Sequence, residues 1–441
     1  MKVHYIKTNE DYDIAFFPDS NRFFRINEKA RQIIDALIKN NNIDEIADRE
    51  DVSRDIIGYY SGIVNECINF YPDKIKNSKN SLNRLVIHLV NGCNLRCIYC
   101  YANGGTYHSD QALITNETID RILDVFYEKF DFIETIQLFG GEPLINMNAI
   151  EYVCQRVEKI CKNMEQKTRI GIVTNGTLIC EKFIELVKRY NILVTISYDG
   201  DKEINNILRK DISGNGTSDL ILDKAKLLKE KTGQPNTIEV TYTQYHLEQH
   251  IALIDIIKHI YQELGTIGIH CVPAGGSEES EYILKEYDPM VKGIEDIFKA
   301  NKLEPNKNYS YSFAQRVING LAMKSHGRNS ICDAGAGTIS VSVDGSIYPC
   351  FMLTDIEEYG LGNIFDQNPL SSKKFIEVLS LFAEANSKNN RECTDCFAKN
   401  LCTGCLGLNL INTGSIDCLD KKYCDMYREI VDEILIRMSK R

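Results

Sequence analysis

The sequence predicts an α/β fold, a run of parallel βα units preceded by a small strand-then-helix module and followed by a cysteine-rich region. Three observations carry this. Between about residues 84 and 275 short apolar runs alternate with amphipathic helical stripes, the pattern of parallel βα units. Before them, three short strands and three helical stripes fit into about 75 residues. Half of the sixteen cysteines fall after residue 330.

The N-terminal strands are Val3-His4-Tyr5-Ile6, Ile14-Ala15-Phe16-Phe17 and Arg22-Phe23-Phe24-Arg25-Ile26, separated by turn residues. Ala30, Ile33, Ile34, Leu37 and Ile38 then mark one helix, and a short helix near 43–49 comes next. Ile56, Ile57, Tyr60, Ile63, Val64 and Cys67 mark a third. Three strands and three helices in this order resemble a winged-helix module. Six strands follow, at 84–90, 134–139, 169–174, 192–197, 237–243 and 266–272. The helix after the second carries Ile150, Val153, Cys154, Val157, Ile160 and Cys161 on one stripe. Loops at the C-terminal ends of such strands carry the chemistry, among them Thr174-Asn175-Gly176-Thr177 and Ser197-Tyr198-Asp199-Gly200. The expected division is 1–75, 83–305, a bridging helix at 306–330 and 331–441.

Composition narrows the function classes. At 441 residues the chain exceeds one ordinary core. A net charge of −11 argues against general nucleic-acid binding. Residues 1–75 carry 10 Lys/Arg against 14 Asp/Glu, the reverse of a phosphate-binding surface. No apolar run approaches membrane-spanning length, and the N-terminus lacks a signal-peptide core. A cytoplasmic protein is expected, in which so many cysteines point to metal sites rather than disulfides.

Cys93, Cys97 and Cys100 form a Cys-x3-Cys-x2-Cys run directly after an apolar strand. Three thiolates on so short a loop can hold three irons of a cubane and leave the fourth open, whereas structural zinc takes four protein ligands. A second strand, Ile136-Gln137-Leu138-Phe139, runs into Gly140-Gly141-Glu142-Pro143. In this order the two motifs resemble the radical S-adenosylmethionine (SAM) superfamily over about residues 84–275. The resemblance implies a partial (β/α)6 barrel whose open iron chelates the SAM methionine. It implies that Tyr99 lies against the adenine and that the Gly140-Gly141-Glu142-Pro143 segment meets the methionine ammonium. Ser197, together with Arg209 twelve residues later, helps hold SAM in that family. The cofactor chemistry is a 5′-deoxyadenosyl radical that abstracts a substrate hydrogen. An external one-electron reductant of flavodoxin or ferredoxin type is implied.

The C-terminal cysteines are Cys332, Cys350, Cys393, Cys396, Cys402, Cys405, Cys418 and Cys424. They resemble the SPASM extension of peptide-modifying radical SAM enzymes, which binds two auxiliary 4Fe–4S clusters; structural zinc is the rival. One departure is visible: the last gap in the Cys393-x2-Cys396-x5-Cys402-x2-Cys405 run is two residues where the family usually has three. By position, Cys393, Cys396, Cys402 and Cys424 would bind the outer cluster, and Cys332, Cys350 and Cys405 the inner one. Some relatives place a fourth inner ligand where Thr338 stands. The inner iron is therefore open to a substrate thiolate unless Cys418 or Cys271 completes it; electron relay is the other reading. Cys271, at the end of the sixth strand, is also the catalytic candidate, with His270 on the opposite face in the core or at the surface. Cys67, Cys154 and Cys161 sit on apolar stripes and are expected in the core, and Cys180 is expected to be structural.

The N-terminal module resembles the leader-peptide recognition element of enzymes that modify ribosomally made peptides, which captures a peptide as an added strand. Together these features imply a maturase with three 4Fe–4S clusters and SAM that forms thioether cross-links in a leader-bearing precursor peptide. Carbon–carbon cross-linking, epimerisation and formylglycine formation are the enzymatic alternatives. Sulfatase-maturing relatives carry Asp where Phe351 stands, which lowers the last. A non-catalytic Fe–S redox sensor is the alternative of another class.

Overall fold

The computed structural model describes residues 2–39, 42–70, 80–107, 109–265, 267–324, 330–388 and 391–440. The first boundary expected from the sequence, between 75 and 83, falls largely on 71–79, outside the described residues. The chain opens with an antiparallel sheet in the order β1 (His4–Ile6), β2 (Asp13–Phe17), β3 (Arg22–Ile26). Helices Glu28–Ile38, Ile43–Glu50 and Arg54–Ile68 follow, the first capped by the Asn27 side chain, which accepts from the Ala30 N–H. Strand alternation sends Ala15 and Phe17 into a core with Ala30, Ile34, Val64 and Cys67. Ile14 and Phe16, on the other face, join the main core of the molecule. There the sheet meets the C-terminal helix Lys421–Ser439.

The main sheet is built from β4 (Ser81–His88), β7 (Phe132–Phe139), β8 (Arg169–Thr174), β9 (Leu193–Ser197), β10 (Thr237–Tyr242) and β11 (Gly268–Pro273). Between β4 and β7 a two-residue ladder pairs β5 (Val90–Asn91) with β6 (Ala112–Leu113). The six long strands pair in parallel in chain order, the partial barrel the sequence pattern implies.

The sheet does not stop there. β12 (Thr338–Val341) adds in parallel to the free side of β4, and β13 (Ser346–Tyr348) and β14 (Gly362–Asn363) extend it antiparallel. The cysteine-rich region thus continues the barrel sheet to nine strands. β12 is four residues long and fully buried, too short for its apolar pattern to announce it.

Register sorts the strand residues into two faces. Leu85, Ile87, Ile136, Leu138, Ile172, Val194, Ile196, Ile238 and Val240 face the surrounding helices and are wholly buried. At about 25 cal/mol per Å² of buried apolar surface, this layer is the main stabiliser of the sheet. The opposite face lines the barrel with Gln137, Val173, Thr195, Ser197, Glu239, Thr241, His270 and Val272, each only partly buried. That residual accessibility marks a hollow.

Candidate active site

The three-cysteine loop hangs from the C-terminal end of β4 and is pinned on two sides. On one, the Arg96 N–H donates to Lys210 O (2.7 Å) and the Ile98 N–H to Leu208 O (3.0 Å). On the other, the Gly141 N–H donates to Val90 O and the Glu142 N–H to Gly92 O, both at 3.0 Å. This packing leaves no room for side chains. A Cβ on Gly141 would strike the Gly92 carbonyl, and one on Gly140, which has φ of +134°, would strike that of Val90. The glycine pair is thus demanded by the meeting of the two loops themselves.

Glu142 is wholly buried, and both carboxylate oxygens are taken. Oε1 accepts from Leu144 N (2.9 Å) and Thr174 Oγ1 (2.7 Å), and Oε2 from Asn175 N (2.7 Å). Burial raises its pKa, and these donors oppose the rise. Glu142 therefore clamps the end of β7 to the end of β8. Next to it Pro143 begins a short 3-10 turn. Asn175 carries the clamp onward. Its amide donates to Asn94 Oδ1 (2.9 Å) and reaches Cys93 Sγ (3.7 Å), while Asn94 donates to Thr177 Oγ1 (2.9 Å).

A second buried carboxylate holds the other side. Asp199 accepts from the Tyr99 hydroxyl (2.5 Å) and from Thr241 N (2.9 Å), with the Arg209 guanidinium 3.6 Å away. Arg209 also donates to the Tyr99 hydroxyl. His246 Nε2 reaches the Asp199 backbone oxygen at 2.8 Å, tying in the short helix Gln244–Glu248 that follows β10. Ser197, half-buried, ends β9 beside this group. Arg209 Nε is buried with no hydrogen-bond partner among the described residues, a donor of the kind a polar ligand satisfies.

The thiols of Cys93, Cys97 and Cys100 lie within Coulombic reach of one another. Burial pushes the Cys93 thiol up to about 12, so its thiolate is stable at neutral pH only on a cation. The Leu95 N–H donates to Cys93 Sγ (3.4 Å). Among the described residues no three His, Cys, Asp or Glu side chains converge on a point as one ion requires, whereas each iron of a cubane takes its own thiolate. The three thiols fit such a cluster, and the unpaired Arg209 donor beside Tyr99 fits a polar nucleotide next to it.

Two further thiol groups assemble in the C-terminal region. Burial raises the pKa of Cys332, Cys350 and Cys405, Cys405 to about 11; Cys405 and Cys332 raise Cys350 further, and Cys332 raises Cys405, which places the three thiols near one another. Met352 Sδ stands 3.6 Å from Cys405 Sγ. Cys393, Cys396, Cys402 and Cys424 form the other group, with Cys402 and Cys424 each pushed to about 12, chiefly by burial. The Lys388 ammonium donates to Lys399 O (2.8 Å) and Cys402 O (2.9 Å) and faces these thiols.

Cys418 is exposed, and Cys180, expected to be structural, is exposed at the start of helix Glu181–Tyr190. Thr338 lies in β12, its hydroxyl directed at Asp333. Cys271 does not reach the barrel mouth. It shares a strand face with Ile269, is fully buried in the core and has its pKa raised by that burial. His270 takes the inward position, which corrects the expectation for both residues. The sequence showed that the two alternate but not which phase points inward; half-buried Glu239 and Thr241 at matching positions of β10 carried that signal. Asn175 and Asp199 lie in the strand-end motifs and Asn94 inside the three-cysteine loop, but their partners come from other segments and are invisible in one sequence.

Residues 87–255 match the model of the radical SAM superfamily, and residues 332–397 match that of the SPASM iron–sulfur cluster-binding domain. The chain has a radical SAM fold with a C-terminal SPASM domain. These domains imply SAM and 4Fe–4S clusters. The chain is 25% identical over 394 residues to the cysteine-type anaerobic sulfatase-maturating enzyme of Clostridium perfringens (strain 13 / Type A), covering 81% of this chain and 97% of the relative. The structure of native anSMEcpe with bound AdoMet and the Cp18Cys peptide superposes with TM-score 0.67 at 22% identity, over 81% of this chain and 98% of that one. Streptococcus suis SuiB bound to S-adenosylmethionine shares the fold over 94% of this chain and 97% of its own, with TM-score 0.55 and 16% identity. No helix among the described residues is long and apolar enough to cross a membrane.

Proposed function

We propose that this radical SAM/SPASM chain oxidises a ribosomally made precursor peptide, joining a cysteine sulfur to a carbon of another residue as a thioether. Cys93, Cys97 and Cys100 hold the SAM-binding cluster, Cys332, Cys350 and Cys405 the inner auxiliary cluster, and Cys393, Cys396, Cys402 and Cys424 the outer one. SAM and its cluster, when bound there, would supply radical hydrogen abstraction from the substrate. Tyr99, Ser197 and Arg209 orient the nucleotide, with Asp199 fixing Tyr99 and Arg209. Glu142, wholly buried, positions the loop by joining the ends of β7 and β8.

The observation that carries the reading is that Tyr101, on the three-cysteine loop, stands near both Cys350 of the inner thiol group and Glu239 of the barrel. Tyr101 keeps 39% of its surface accessible. A peptide cysteine in that hollow would stand between the SAM site and the inner group. The N-terminal sheet and helices are the leader-binding element, a flavodoxin or ferredoxin supplies electrons, and the cytoplasm keeps the free thiols reduced.

The similarity to a sulfatase-maturating enzyme favours formylglycine formation as a second reading, against which Phe351 packs its ring 4.7 Å from that of Phe139 where an Asp would be expected. Co-expression with Cys-containing peptides encoded beside the gene, followed by mass spectrometry, separates them. Thioether formation removes two hydrogens per link and retains sulfur. Loss of sulfur identifies formylglycine, and unchanged mass with solvent deuterium identifies epimerisation.

A further inference from the structure

The barrel interior holds a group of charged side chains that the SAM and cluster sites do not use. Glu239 on β10 and His270 on β11 are direct register partners on parallel strands, both turned into the hollow. The same register puts Glu239 level with Ser197, so the pair stands at the height of the nucleotide site. His270 Nδ1 is hydrogen-bonded to Ser312 Oγ (2.9 Å) at the start of helix Ser312–Met323, which packs along β11. Arg316 on that helix and Arg84 on β4, both solvent-exposed, stand near enough for their charges to bear on the imidazole. Among the described residues Glu239, Arg84 and Arg316 form no ion pair within 4 Å, although all three charges bear on His270.

We propose that His270 is the proton acceptor for the substrate, with Ser312 orienting its ring and Glu239 stabilising the imidazolium. The step is a plain acid–base transfer: the S–H bond of a substrate cysteine breaks, the proton goes to His270 Nε2, and sulfur keeps the electron pair as thiolate. This rests on the peptide-oxidising reading above, which requires that proton to leave before or as the carbon–sulfur bond forms. The surroundings suit the role. Burial, Arg316 and Arg84 lower the His270 pKa and keep the ring neutral and able to accept, while Glu239 favours the charged product.

The test begins on the holoenzyme in its oxidised state. NMR of selectively labelled histidine, assigned with His270→Gln, is expected to show His270 titrating below the free value of about 6.5. Glu239→Gln should move it lower and Arg316→Gln higher. A His270 pKa at or above the free value, or one indifferent to both substitutions, overturns the proposal. With a Cys peptide that the wild-type enzyme modifies, His270→Gln should cut product formation by about 10²-fold or more. Peptide affinity should be unchanged, and 5′-deoxyadenosine should still be released. The acid limb of the pH profile should shift down in Glu239→Gln and up in Arg316→Gln, and added imidazole should partly rescue His270→Ala. If His270→Gln and Glu239→Gln keep the wild-type ratio of product to 5′-deoxyadenosine, the proton-acceptor role fails while the peptide-oxidising reading stands. If the wild-type protein releases no 5′-deoxyadenosine, both fail.

Discussion

Asp199 concentrates more of the site than any one motif cysteine. It is wholly buried, accepts from Tyr99 and Thr241, and faces the buried guanidinium of Arg209. Removing its charge leaves that cation without compensation, at a cost of about 3–5 kcal/mol. Asp199→Asn is therefore expected to lower the denaturant midpoint strongly and to weaken SAM binding in equilibrium dialysis. Tyr99→Phe removes two hydrogen bonds to charged groups, one to Asp199 and one from Arg209, each worth about 1.5–3 kcal/mol. Cys271 makes the opposite case. It packs in the core away from the hollow, so Cys271→Ala should reduce stability by about 1–2 kcal/mol and leave SAM cleavage at the wild-type rate. A loss of cleavage in that variant would return Cys271 to the reaction. Gly141→Ala would drive a methyl into the Gly92 carbonyl. The two loops cannot then meet, and the isolated protein should lack the iron of one cluster.

At the scale of elements, what was legible follows from how each signal is encoded. The six long strands announce themselves because each carries a continuous apolar phase on its helix-facing side, and the intervening helices carry their own stripes. β12 escaped because four buried residues between two cysteines look like loop. Its placement against β4 depends on register with Arg84, Leu85, Val86 and Ile87, which one sequence does not print. The cysteine spacings sorted ten of the sixteen thiols into the three groups that the fold brings together. They could not sort Cys271, because alternation fixes phase and not sign. For the outer group, Cys424 stands with Cys393, Cys396 and Cys402, and Cys418 is exposed. Cys424→Ala should accordingly lower the iron content from about 12 to about 8 per chain after reconstitution, while Cys418→Ala leaves it unchanged. Equal losses in both variants would mean that Cys418 is a ligand.

For the molecule as a whole, the N-terminal module is docked rather than tethered. The His4 ring stacks on Phe397 at 3.6 Å between centroids, and its Nε2 meets Asp432 Oδ1 at 2.9 Å. Lys399 reaches Asp19 at 3.7 Å, and Asn400 donates to Pro18 O at 2.8 Å. Phe397, Lys399 and Asn400 all lie between Cys396 and Cys402, so the module is seated on the loop of the outer thiol group. His4→Ala should loosen that seat and raise hydrogen exchange in β1 and in residues 397–400, without changing exchange in β7 to β9. The barrel sheet thus continues through β12 to β14 into the cysteine-rich region, and the N-terminal module docks on that region rather than on the barrel strands. Cys93, Cys97 and Cys100 should make SAM a radical source. The direct measurement is 5′-deoxyadenosine released from SAM by the anaerobically reconstituted, dithionite-reduced protein. The wild type should release it and Cys93→Ala should not. A wild-type protein carrying its full iron yet releasing none would contradict the account.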